Sequence, residues 1–137
     1  MELNLNKNQL RRLVDLVYIG NWVVNSTRED QRFEEFDQVE QIIFEKAVAE
    51  GMEELVDFEG NRACPSRAFV EGGIHQVIAT YEDTMFYNIL AEDLVHRDMD
   101  YEPINPINYL EYTAKIQEYL DEFEKNGTDN ITIQWEE

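Results

Sequence analysis

Apolar residues recur three and four positions apart through most of this chain, a period that predicts helices. Leu10, Leu13, Val14, Val17 and Val24 keep it across residues 7–25, with Asn6 followed by Gln9 as a capping-box opening. Leu16, Ile19 and Val23 widen the stripe to most of the circumference, so this helix is expected to be central and packed on several sides. Gly20 inside it predicts a close crossing by another backbone, because glycine in a helix interior costs up to about 1 kcal/mol against alanine. A second helix is expected over about 28–50, with Glu29 and Asp30 in its first turn and Gly51 as its stop. Its inner stripe reads as Phe33, Phe36, Val39, Ile43 and Ala47, and Glu34, Asp37, Gln41 and Glu45 are expected to face water.

Met52 to Phe58 reads as a short helix, Glu59-Gly60-Asn61 as a turn and Cys64-Pro65 as an extended break. Ser66 is the expected cap of a helical turn through Glu71, ended by Gly72-Gly73. A further helix runs from Ile74 to His96, continuous or broken near Thr80 to Asp83, with Met85, Phe86, Ile89, Leu90 and Leu94 as its apolar row. Asn105-Pro106 reads as a cap and first-turn proline for a last helix reaching Lys125. That helix is expected to bury Tyr109, Tyr112, Ile116, Leu120 and Phe123. The period then changes to two, with Ile131, Ile133 and Trp135 alternating with Thr132 and Gln134, which is strand chemistry. Such a strand needs a partner: the Leu3–Leu5 segment, a second copy, or another protein. Chain ends often lie close together, which favours the terminal pair. The expected fold is therefore mainly α, one compact domain over residues 1–137 with about five helices and a minor two-stranded β element from the chain termini.

Composition supports folding and then restricts partners. The chain is 43% apolar and 12% aromatic, well above a disordered acidic tail. Eleven Lys and Arg oppose thirty Asp and Glu, a net charge of −19. By segment the charge is +1 over 1–27, −9 over 28–60, −4 over 61–100 and −7 over 101–137. Phosphate backbones and anionic membranes call for a basic patch, and the one basic cluster is Lys7, Arg11 and Arg12, so direct nucleic-acid or membrane attachment is not expected. The apolar run Leu13–Val24 is interrupted by Asp15 and Asn21 and is shorter than the roughly 20 residues a bilayer requires. The single Cys64 makes no internal disulfide, which fits a reducing, cytoplasmic setting.

Catalytic and metal chemistry finds little support. Glu92 and Asp93 precede His96 by four and three residues, and Glu71 precedes His75 by four, spacings that arise readily among thirty acids. Asp98-Met99-Asp100-Tyr101-Glu102 begins like a calcium loop, but Pro103 stands where glycine is needed and Tyr109 where a bidentate glutamate is needed. Cys64 precedes a proline, which removes a donor an oxyanion hole would use. No metal, cofactor or enzymatic activity is expected on these grounds.

The acids themselves are the remaining candidates. Glu34, Asp37 and Glu45 on the second helix, with Glu111, Glu118 and Glu122 on the last, are expected to face a protein with a basic surface. Carboxylates one helical turn apart repeat about every 5 Å, against about 3.4 Å for phosphates along one duplex strand, so mimicry of nucleic acid needs the two helices side by side. In size and charge the chain resembles the small acidic inhibitor proteins of phages and mobile elements, a resemblance that implies inhibition of a nucleic-acid-binding enzyme. The alternative expectation is a structural or regulatory module that uses the edge Ile131, Ile133 and Trp135 for homodimerisation or strand addition.

Overall fold

A computed structural model describes residues 1–137 and is mainly helical. Its order is α1 (Lys7–Asn25), α2 (Glu34–Ala49), a 3-10 turn at Glu53–Leu55, β1 (Val56–Glu59), β2 (Arg62–Pro65), the single turn α3 (Arg67–Phe69), a wide π-type turn at Val70–Ile74, α4 (His75–Asp98) and α5 (Tyr109–Asn126). Four of the helices are long, and no helix is long and apolar enough to cross a membrane. The chain forms two compact units, Met1–Ile78 and Ala79–Glu137.

In the first unit α1 packs on α2, and the hairpin β1–β2 packs beside α2. The expected capping box opens α1: Asn6 Oδ1 accepts from the Gln9 amide at 2.8 Å, and Gln9 Oε1 accepts from the Asn6 amide at 3.0 Å. The core gathers Val14, Tyr18, Phe44, Ala47, Phe69 and Ile78 with Leu55, Val56 and Ala63 around them. Ser66 caps the turn that follows β2, accepting from the Phe69 amide at 3.1 Å while donating to the Glu54 carbonyl at 2.6 Å.

Several expectations need correction here. The two-stranded element is the antiparallel pair β1–β2, in register from Val56 opposite Pro65 to Glu59 opposite Arg62, and not a pair of chain termini. Gly60, at φ 63°, lets a two-residue turn close this hairpin locally, whereas joining the chain ends carries a greater loop-closure cost. Residues 1–6 and 131–137 carry no regular structure. Segment 52–58, read as a helix, is a 3-10 turn leading into β1. Gly20 is exposed, with nothing within 4 Å of where a Cβ would stand, so no backbone crosses there. Consistent with that, α1 buries one stripe only, Leu10, Val14, Tyr18, Asn21 and Asn25, and leaves Leu16 and Val23 in water.

The face of α2 is the largest correction. Phe36, Val39 and Ile42 are 46, 52 and 54% exposed, while Asp37 and Glu40 turn inward beside Phe44 and Ala47. A partner on α1 decides this: Asn21, itself held by Asn25, donates to both carboxylates as they leave water.

In the second unit α4 and α5 bury Ala91, Val95 and Phe123, with Leu90, Leu94, Ile116 and Leu120 partly covered. Tyr87 and Tyr119 pack on Phe123 at ring separations of 5.4 and 6.0 Å. Phe86 and Ile89 face outward instead of joining that row. Asn105 and Asn108 exchange hydrogen bonds, Asn105 N to Asn108 Oδ1 at 2.8 Å and Asn108 N to Asn105 Oδ1 at 3.1 Å. This Asx-type turn occupies the residues after Pro106 and delays α5 to Tyr109.

Candidate functional site

The most organised polar arrangement joins α1 to α2. Asn25 is fully buried, donating Nδ2 to the Phe33 carbonyl at 3.1 Å and accepting the Phe33 amide on Oδ1 at 2.8 Å. Its Nδ2 also donates to Asn21 Oδ1 at 2.7 Å. Asn21 in turn donates Nδ2 to Asp37 Oδ1 at 2.9 Å and to Glu40 Oε2 at 2.7 Å. Arg32 grips Asp37 from the other side with two bonds, Nε to Oδ2 at 3.0 Å and Nη2 to Oδ1 at 2.7 Å. The relay runs from the backbone of the α1–α2 connection through two asparagines to two carboxylates, and no buried side-chain polar atom is left without a partner.

The two carboxylates are differently placed. The Arg32 bond, aided by Asn21, holds the Asp37 carboxyl below its ordinary value, while burial pushes Glu40 above its own. Glu40 has no cation within ion-pair distance. It lines a cavity of about 280 Å³ with Tyr18, Asn21, Trp22, Ser26 and Arg32. Tyr18 shares a 2.6 Å hydrogen bond with His75 Nε2, and His75 meets the Trp22 ring edge-on at 4.7 Å. Burial and then the Glu40 charge raise the Tyr18 hydroxyl above its usual value.

The acidic residues singled out from sequence divide between the two units. On α2, Glu34 and Glu45 are exposed, and Asp37 is occupied by Arg32 and Asn21. On α5, Glu111 and Glu118 are exposed, and Glu122 accepts bonds from Asn126 and Asn130, which lower its carboxyl. At about 100° per residue, Lys115 and Lys125 fall on the same stripe as Glu111, Glu118 and Glu122. The charge of the second unit nevertheless stays strongly one-sided: fifteen acids against three bases, or −12, compared with fifteen against eight, or −7, in the first. Fourteen of those fifteen are exposed, and the unit has one ion pair, Arg97 with Asp98. Tyr119 also donates to Asp98, holding that carboxyl low.

Ile131, Ile133 and Trp135 are exposed and belong to no β ladder. No three His, Cys, Asp or Glu side chains are grouped to hold a metal ion. Asn25, Glu40, Trp22 and Tyr18 are not singled out by the sequence, where Asn21 reads only as a break in an apolar run. A signal was present, since Asn21 and Asn25 continue at three- and four-residue spacing the face of Leu10, Val14 and Tyr18. Comparison with protein-family profiles, with curated proteins and with solved structures gives no match.

Proposed function

We propose that this is a non-enzymatic binding protein that engages a basic protein surface, with its excess charge as the attracting element. The observation that carries the reading is the second unit: fourteen exposed carboxylates and three cations, only one of which is paired. Uncompensated charge of one sign costs a fold some self-repulsion, and a cationic partner relieves it while gaining speed of encounter. Inhibition of a nucleic-acid-binding enzyme belongs to the same proposal, the carboxylates competing with phosphates for its basic groove. The test is the affinity for the protein captured from the native host, measured across salt. Affinity should fall at least tenfold between about 50 and about 500 mM salt, and duplex nucleic acid should compete. Affinity indifferent to salt contradicts the proposal.

A second reading is favoured by the open segment at Ile131, Ile133 and Trp135, whose alternation suits addition to another sheet edge or to a second copy. Removing residues 130–137 separates the two: loss of assembly in a folded chain favours the strand, and unchanged partner binding favours the acidic surface.

A further inference from the structure

The acidic surface explains attraction but has no specific seat for a partner, and the α1–α2 cleft has the features of one. Glu40 is half-buried and accepts a single hydrogen bond, at Oε2, from Asn21. Arg32, the cation in the same cleft, has its Nε and Nη2 committed to Asp37 and makes no ion pair with Glu40; its charge favours the Glu40 carboxylate, but burial outweighs it. Trp22 and Tyr18 line the same space, Trp22 with 37% of its surface exposed and its ring steadied by His75 on the edge. A carboxylate removed from water and set beside an accessible indole is suited to a cation that can also lie on an aromatic face. The volume, about 280 Å³, is slightly below the roughly 300–1,000 Å³ typical of sites for whole small molecules, so it suits one side-chain head rather than a cofactor.

We propose that this cleft seats one guanidinium or ammonium side chain of the basic partner, paired with Glu40 and stacked on Trp22. The proposal rests on the reading that the partner is a basic protein, and supplies the anchor that reading lacks: a buried aromatic and charge pair inside a broad field of weak contacts. Arginine should be preferred to lysine, because its planar head both stacks and forms paired hydrogen bonds to a carboxylate.

The test uses the full chain with Trp135→Phe, so that Trp22 is the only indole, titrated with N-acetyl-arginine amide and followed by fluorescence. Saturable quenching is expected with a dissociation constant on the order of 1–10 mM, weakened tenfold or more by Glu40→Gln. That variant keeps an acceptor for Asn21, and its circular dichroism should be unchanged. N-acetyl-citrulline amide, the neutral isostere, should bind at least tenfold more weakly. No saturable change, equal affinity for the citrulline compound, or Glu40→Gln binding as the parent overturns the proposal. So does tighter binding of N-acetyl-glutamate, which would assign the cleft to Arg32. Failure here with salt-dependent partner binding intact removes the anchor alone, whereas loss of that salt dependence removes the reading beneath it.

Discussion

The two units handle charge differently. Met1–Ile78 draws polar groups inward and satisfies them: all three buried polar residues, Asn21, Asn25 and Ser66, lie there, as do four of the five ion pairs and the whole main core cluster. Ala79–Glu137 turns its carboxylates outward and buries only Ala91, Val95 and Phe123 deeply. In the first unit a carboxylate such as Asp37 is a structural part, fixed by Arg32 and Asn21. In the second a carboxylate such as Asp121 has a glutamine neighbour and water, and so remains free to meet a cation from outside. The number of acids alone does not reveal this difference, because each unit holds fifteen.

The contrast can be broken most forcefully in the first unit. Phe44→Ala, at a fully buried site between Phe69 and α1, should cost about 3–5 kcal/mol in denaturant unfolding. Asn25→Ala comes next, about 2–4 kcal/mol, because the Phe33 amide and carbonyl and the Asn21 side chain lose their partner together. Asp121→Asn in the second unit should change stability by no more than about 0.5 kcal/mol in either direction. A cost for Asn25→Ala as small as that for Asp121→Asn would show that the relay does not organise α1 and α2.

Smaller effects sharpen the contrast within the relay itself. Asp37 has its folded carboxyl held low, so its contribution is present above the unfolded carboxylate range and is lost as pH falls through the folded value. Glu40 is held high, so its contribution is present below that range and is lost as pH rises through the raised folded value. At neutral pH, Asp37→Asn should therefore destabilise and Glu40→Gln should stabilise. Both differences should shrink in acid, and chemical denaturation from pH 3 to 7 reads them. Two variants with the same sign at neutral pH would contradict the assignment. Least of all, raising salt should slow amide exchange in α5 more than in α1, by screening repulsion among the outward carboxylates.

Much of the helical framework is legible in the sequence. The Asn6–Gln9 capping box, the Ser66 cap and the apolar spacing of α1 are local signals, and the structure carries each of them. On α5 the expected row is kept only in part, with Phe123 buried, Tyr112, Ile116 and Leu120 half-buried and Tyr109 55% exposed. What misled was the assumption that apolar positions on α2 face inward. Phe36 and Val39 have the right spacing, but Asp37 and Glu40 share a stripe with Phe44 and Ala47, and only the donors on α1 make that stripe the buried one. Such a choice depends on residues in another helix, which periodicity within one helix does not contain. The strand was misplaced for a related reason: alternation at Ile131–Trp135 is real, yet the pairing went to the segment whose turn closes over two residues. The α1–α2 cleft escaped notice because its members, from Tyr18 to Glu40, are ordinary residues until two helices and a loop bring them together.

The central claim is that the uncompensated carboxylates of the second unit attract a basic partner. Two full-length variants test it against each other in a binding assay with the captured partner: Glu82, Asp83, Glu92, Asp93, Glu118 and Asp121 changed to their amides, and Glu29, Asp30, Glu35, Glu50, Glu53 and Glu59 changed likewise. Each set removes the same charge from exposed positions. The first should weaken binding by about tenfold or more and the second by less than about threefold. Equal losses, or none from the first set, would contradict the account.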